Sequence, residues 1–120
     1  MLTAGLALPS GASAASAFPG TYRTKLSAPA QFKGTWTLTF RKSGTYSVAL
    51  GASVLVNGRY TVSGSKITLG HEKGPASCAP AGTYSFKRTG ASLKLTKVSD
   101  SVAKCAGRIM VLTHPLTAAM

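Results

Sequence analysis

Apolar and polar residues alternate along most of this chain. The clearest case is the segment GTWTLTF at positions 34–40, in which Trp36, Leu38 and Phe40 are separated by threonines. Successive side chains of a β-strand point to opposite faces, so this pattern predicts a strand with one dry face and one wet face. No segment shows the sustained 3.6-residue period of a long helix.

The same alternation predicts about eight short strands joined mostly by turns. We expect strands over 20–26, 35–41, 45–50, 59–63 (with 54–56 as its start or as a bulge), 66–69, 82–87, 92–98 and 108–113. Residues 70–81 are predicted to form a loop, and 99–107 a loop or a single helical turn. Short strands joined by hairpin turns favour an all-β, antiparallel up-and-down barrel over parallel β/α units.

The N-terminal residues have the features of an export signal. Residues 1–17 carry no charge, and Ala12-Ser13-Ala14 and Ala15-Ser16-Ala17 both fit the small-x-small cleavage pattern. A basic n-region is missing, so we interpret 1–17 as the tail of a signal peptide whose true start stays open. A disordered Ala/Ser arm is the alternative. The 120-residue length predicts one domain, over 18–120, in an extracellular or periplasmic protein.

The two cysteines fit export. In an oxidising compartment Cys78 and Cys105 are expected to form a disulfide, with two unpaired thiols as the alternative. No histidine stands near them at a metal-ligand spacing, so we predict no zinc site.

Two short motifs resemble a known family. Gly34-Thr35-Trp36 at the start of a strand, with Arg108 at the start of the predicted last strand, resembles the Gly-x-Trp and final-strand arginine of the lipocalin/calycin superfamily. Segments 58–64, 82–84 and 105–108 resemble small secreted bacterial lipocalin-like proteins. The resemblance implies that the Arg108 guanidinium packs over the Trp36 ring and closes one barrel end. It also implies a scaffold that binds small apolar molecules.

The inward positions predict what a ligand would touch. An apolar pocket with orienting tyrosine hydroxyls is one interpretation, and a barrel packed solid is the other. The predicted ligand-binding residues are Phe40, Tyr46, Tyr60, Tyr84 and Phe86. The pocket is expected to open at the end opposite Trp36 and Arg108.

Charge is strongly unbalanced, with 14 Lys and Arg against Glu72 and Asp100, a net charge of +12. Such a field attracts anionic surfaces and polymers. The basic residues fall mostly on the outward parity or in turns, whereas the aromatic residues point inward. Base stacking needs exposed aromatic rings among the charges, so we predict no specific nucleic-acid binding.

The residues suited to catalysis are few. His71, Glu72, Asp100 and His114 give neither an acid–base set nor a metal spacing, so no catalytic residue, metal or cofactor is predicted. We expect a secreted, monomeric, non-catalytic barrel that binds a small apolar or amphipathic ligand. The alternative is a solid, basic, surface-associated barrel that binds anionic envelope polymers or a protein partner. An enzyme built on the barrel is a third hypothesis.

Overall fold

A computed structural model of the chain describes residues 19–28 and 30–118, and the predicted signal peptide at 1–17 lies outside them. The described residues form one α-helix, α1 (Val102–Thr113), a 3₁₀ turn at Ala30–Phe32, and eight strands. The strands are β1 (Gly20–Leu26), β2 (Gly34–Phe40), β3 (Thr45–Leu50), β4 (Ser53–Ser63), β5 (Lys66–Lys73), β6 (Gly82–Thr89), β7 (Ser92–Ser99) and β8 (Leu116–Ala118).

Each strand pairs antiparallel with the next one in the chain, and β8 pairs with both β7 and β1. The sheet is therefore a closed up-and-down barrel, in which every strand has a neighbour on both sides. This confirms the predicted all-β fold class. In the part of the chain that the structure describes, no helix has the length and apolar character needed to cross a membrane.

The alternating apolar residues point into the barrel as predicted. Trp36, Leu38 and Phe40 of β2 are 4%, 0% and 2% exposed, while the threonines between them lie on the outer side. Leu93 and Leu95 of β7 are buried in the same way. Burial of these side chains is the main force that favours the closed barrel over the open chain.

The predicted strand at 108–113 is wrong, because these residues belong to α1. Residues 109–112 are a continuous apolar run, and such a run does not distinguish a strand from a buried helix. The Ser101 side chain accepts a hydrogen bond from the Lys104 N–H and caps the helix. Pro115 follows the helix, and the closing strand β8 begins directly after it.

Strand β5 is four residues longer than the predicted 66–69. The register between β4 and β5 shifts between Asn57 and Arg59, and His71 has a positive φ of 51°. Beyond this irregularity β4 and β5 pair again, with Asn57 opposite Lys73, inside the segment 70–81 that was predicted to be a loop. As a result Glu72, expected in a loop, lies on a strand.

One end of the barrel is packed with aromatic rings. Phe40 contacts Tyr22 edge-on at a centroid distance of 6.1 Å, Tyr60 edge-on at 5.3 Å, and Tyr46 in a stacked arrangement at 5.8 Å. At this end Arg88 lies over the Tyr22 ring, 5.3 Å from its centroid, and Nη1 donates to the Tyr22 hydroxyl. The end that holds the start of β2 and the end of β3 is the one beside α1.

Candidate functional site

A disulfide joins the loop after β5 to the helix. Cys78 and Cys105 are both buried, and their Cα atoms are 5.6 Å apart, which confirms the predicted pairing. Cys105 lies in the first turns of α1, where the backbone departs from helical geometry (φ −121°, ψ 28°). The bond therefore holds α1 against the 74–81 loop at one end of the barrel.

Arg108 of α1 is the centre of a buried polar cluster. Its Nε donates to Asp100 Oδ2 at 2.9 Å, and its Nη2 donates to Asp100 Oδ1 at 2.5 Å and to the Pro80 carbonyl at 2.7 Å. Its Nη1 lies 3.1 Å from Glu72 Oε2 as an ion pair. The side chains of Arg108, Glu72 and Asp100 are only 7%, 2% and 0% exposed.

Each carboxylate also accepts from a tyrosine and a backbone N–H. Tyr84 donates to Asp100 Oδ2 at 2.5 Å, and the Ser101 N–H donates to Oδ1 at 2.8 Å. Tyr46 donates to Glu72 Oε2, and the Cys78 N–H donates to Oε1 at 2.7 Å. Buried charges are tolerated when they are paired and hydrogen-bonded, and both carboxylates meet these conditions. Arg108 Nη1 has its ion pair with Glu72 but no hydrogen-bond partner among the described residues.

The contacts of the cluster set the ionisation of Asp100, Tyr84 and Tyr46. Burial alone would raise the pKa of Asp100, but the hydrogen bonds from Arg108, Tyr84 and the Ser101 N–H hold it below its ordinary value. Burial and the bond to Asp100 both raise the pKa of Tyr84, and burial and the bond to Glu72 do the same for Tyr46. Near neutral pH, Asp100 is therefore ionised and both phenols are protonated.

The backbone at Gly82 makes room for this cluster. A Cβ atom at this position would lie 2.5 Å from Asp100 Oδ2 and 2.9 Å from Arg108 Nη2, closer than real Cβ contacts. Gly82 begins β6, and its missing side chain lets the carboxylate and the guanidinium approach the strand.

A cavity of about 240 Å³ lies between the barrel and α1. Its wall is mostly apolar, with Glu72, Arg108 and the disulfide on one side, and the exposed Ala76, Ser77 and Lys104 form its rim. The lining residues are Phe32, Trp36, Tyr46, Val48, Val56, Leu69, Glu72, Ala76, Ser77, Cys78, Lys104, Cys105, Gly107, Arg108, Val111 and Leu112. The barrel is thus packed with rings at one end and hollow at the other.

The cavity lies at a different end from the predicted one. Trp36 and Arg108 both line it, so the prediction that a pocket would open opposite them is wrong. Among the predicted ligand-binding residues, Tyr46 is part of the lining, whereas Phe40 and Tyr60 belong to the aromatic end. Tyr84 bonds to Asp100, and Phe86 is half-buried outside the lining.

The predicted role of Arg108 also requires correction. It does not begin the last strand, and its guanidinium is held by Asp100 and Glu72. The Trp36 indole N–H instead donates to the Phe32 carbonyl at 2.9 Å. A buried cation is stabilised far more by a hydrogen-bonded carboxylate than by an aromatic face, which explains why the two acids take this position.

The two histidines lie outside the cluster and the cavity lining. His71 and His114 are both exposed, on β5 and at the end of α1. Within 19–28 and 30–118, no three His, Cys, Asp or Glu side chains come together as a set of metal ligands.

No protein-family model, curated protein or solved structure matches this chain.

Proposed function

We propose that this protein is a secreted, non-catalytic, lipocalin-like barrel that binds a small apolar or amphipathic molecule in the cavity beneath α1. The observation that carries the proposal is the hollow end of the barrel, with its largely apolar wall and a few polar groups. An apolar cavity with a few fixed polar groups is the common form of a small-molecule site.

The volume limits the size of the ligand. Drug-sized pockets span about 300–1,000 Å³, and an engineered apolar cavity of about 150 Å³ binds benzene. At about 240 Å³ this cavity falls between the two. It suits one ring or an acyl chain of about eight carbons, if each carbon takes about the 30 Å³ of a water molecule.

The charges at the cavity favour one orientation. Inside, Glu72 and Arg108 line the wall as an ion pair, and Asp100, which is not part of the lining, binds the same guanidinium, so this cation is already paired. At the rim, Lys104 is exposed and has no carboxylate partner among the described residues. An amphipathic acid would therefore place its tail against Trp36 and its carboxylate at Lys104.

Two further features support the secreted, lipocalin-like part of the proposal. The Cys78–Cys105 disulfide is typical of proteins in oxidising compartments. The closed up-and-down topology and the position of Trp36 near the start of β2 agree with the resemblance drawn from Gly34-Thr35-Trp36.

Trp36 provides a direct test of binding. It is the only tryptophan in the chain and it lines the cavity. Titration with octan-1-ol is expected to change Trp36 fluorescence saturably, with little dependence on salt, because the contact is apolar. The measurement is the emission spectrum of the oxidised protein at increasing octanol concentrations.

Two variants control this titration. Ala76→Phe places a ring at the cavity rim and is expected to abolish the fluorescence change. Ala91→Phe adds the same ring at the exposed turn between β6 and β7, at the aromatic end, and is expected to leave the change intact. An unaltered Trp36 spectrum in the wild type, or equal responses of both variants, would overturn the proposed function.

Lys104 tests the orientation of a charged ligand. We expect Lys104→Gln to weaken octanoate binding about 2- to 5-fold, the range of an exposed ion pair, and to leave octanol binding unchanged. Lys42→Gln removes the same charge from the β2–β3 turn and is the matched control. Equal octanoate affinities of the two variants would contradict the proposed orientation, although octanol binding would still support the cavity.

A further inference from the structure

The cluster at Arg108 removes all side-chain negative charge from the protein surface. Glu72 and Asp100 are the only acids in the chain, and both are buried against Arg108. The other thirteen of the fourteen Lys and Arg residues have no carboxylate partner among the described residues. The exterior of the barrel therefore carries side-chain charge of one sign.

These cations are concentrated on one side of the barrel. Strands β2, β3 and β4 together carry a single cation, Arg59, and β2 shows a row of threonines outward. Strands β1, β5, β6 and β7 each carry two: Arg23, Lys25, Lys66, Lys73, Lys87, Arg88, Lys94 and Lys97. A charge distribution that served solubility alone would not need to leave β2 and β3 empty.

The strand register places like charges side by side. Lys87 of β6 lies directly opposite Lys94 of β7, and Lys66 of β5 lies opposite Ser85, two residues from Lys87. Directly opposed side chains are about 5 Å apart at Cβ and diagonal ones about 7–8 Å, and like charges at such positions destabilise a sheet. No carboxylate in this part of the surface offsets the repulsion.

The row of cations on β5, β6 and β7 continues across β8 to β1, where the barrel closes. Ser92 of β7 pairs with Thr117 of β8, and Thr117 pairs with Arg23 of β1. Neighbouring strands lie about 4.8 Å apart, so the cations follow one another across the outer surface of five strands. We call Arg23, Lys66, Lys87 and Lys94, all exposed, the basic face.

We propose that the basic face binds a linear polyanion that carries repeating phosphate groups and no bases. The repulsion among these cations is relieved when the negative charges of a polymer lie between them. Ser85, Ser92 and Thr117 separate the cations and offer hydroxyl donors to phosphate oxygens. The site is distinct from the cavity and does not depend on its ligand.

The side chains of the face favour this polymer over nucleic acids and lipid surfaces. It holds no aromatic ring on which a nucleobase could stack, so a nucleic acid gains nothing beyond its phosphates. It also holds no large apolar side chain that could enter a bilayer, so a lipid surface is the weaker partner.

Long-chain inorganic polyphosphate, labelled at one end and followed by fluorescence anisotropy, is the test. The face variant carries Arg23→Ser, Lys87→Ser and Lys94→Ser. The control carries Lys33→Ser, Lys42→Ser and Arg59→Ser, which removes the same three charges from exposed positions elsewhere. We expect the face variant to bind about 10- to 100-fold more weakly at 0.15 M salt and its log–log salt slope to fall by about three. The control is expected to keep most of the affinity.

Four outcomes would overturn the proposal. The first is that the wild type does not bind polyphosphate at low salt, and the second is that the two variants lose polyphosphate affinity equally. The third is that the wild type binds oligo(dT) of equal charge clearly more tightly than polyphosphate. The fourth is that the wild type binds only anionic vesicles. Thermal midpoints show that both variants are folded, and an unchanged octanol titration of the face variant shows that the cavity is intact. Failure of polyphosphate binding at the basic face is thereby distinguished from failure of ligand binding in the cavity.

Discussion

Replacement of Arg108 by methionine is expected to lower the free energy of unfolding by about 3–5 kcal/mol at pH 7, the usual effect of breaking a buried ion pair. The guanidinium is the buried cation that faces both Asp100 and Glu72, and without it two carboxylates remain in a site that water hardly reaches. Methionine fills a similar volume, so the loss measures charge rather than packing. Urea unfolding followed by Trp36 fluorescence gives the value.

The pH dependence separates this effect from a packing defect. In the wild type the pKa of Asp100 is held below its ordinary value. That stabilisation is therefore present above about pH 4, the ordinary carboxyl pKa, and is lost as the pH falls through the folded value. In the Arg108→Met variant the buried Asp100 carboxylate lacks its cation and takes up a proton instead, so the deficit of the variant relative to wild type is expected to shrink between pH 7 and pH 3.5.

A neutral cluster is the matched control. The triple variant Arg108→Met, Asp100→Asn, Glu72→Gln removes the cation and both anions. We expect it to recover a large part of the lost stability, because no uncompensated charge then remains buried. A single variant that loses less than about 1 kcal/mol at pH 7, the usual limit for an exposed pair, would contradict the role given to Arg108. A stability deficit of the single variant that is as large at pH 3.5 as at pH 7 would also contradict this role.

Loss of the disulfide is expected to have the second largest effect. Cys78 and Cys105 are 27 residues apart, and for a loop of that size the chain-entropy relation gives about 3–4 kcal/mol. The double variant Cys78→Ser, Cys105→Ser should unfold at correspondingly lower urea concentration. Because the bond holds α1 over the cavity, octanol binding should also weaken.

Chemical reduction provides the comparison for this variant. Wild type treated with dithiothreitol should unfold at the same urea concentration as the double serine variant, and the variant itself should not respond to the reductant. A reduced wild type that keeps its full stability would show that the crosslink does not hold the loop and the helix together.

The alternation of apolar residues was sufficient to predict the barrel. The bounds of β1 and β3 agree with the prediction, because the residues that flank these strands break the alternating pattern. The predicted end of β5 was wrong, since a positive φ at His71 follows a register shift that the pattern of residues does not reveal.

The helix could not be predicted from periodicity. Only Cys105, Val111 and Leu112 of α1 are buried, so its apolar side is narrow, and the run at 109–112 fits a strand equally well. The available signals were Ser101 as a capping residue and Pro115 as a helix terminator, and neither gives the length of the helix.

The cluster that shapes the cavity was missed for a different reason. Glu72 is distant in the sequence from Asp100 and Arg108, and no motif links the three residues. They meet only because the barrel and α1 bring them together. One physical signal was available. An arginine expected to close one barrel end over Trp36 is a buried cation and needs a carboxylate, and the chain contains only two.

The seam of the barrel has a consequence for the order of folding. Seven of the eight strand interfaces join neighbours in the chain, whereas the eighth joins β8 to β1 through Tyr22 and Ala118, at nearly opposite ends of the described chain. Local hairpins form early, and a contact between distant residues must first overcome the entropy of closing a long loop. We therefore expect the circle of strands to be completed last during folding. Amide hydrogens at this short seam should be among the first to exchange when the native barrel opens.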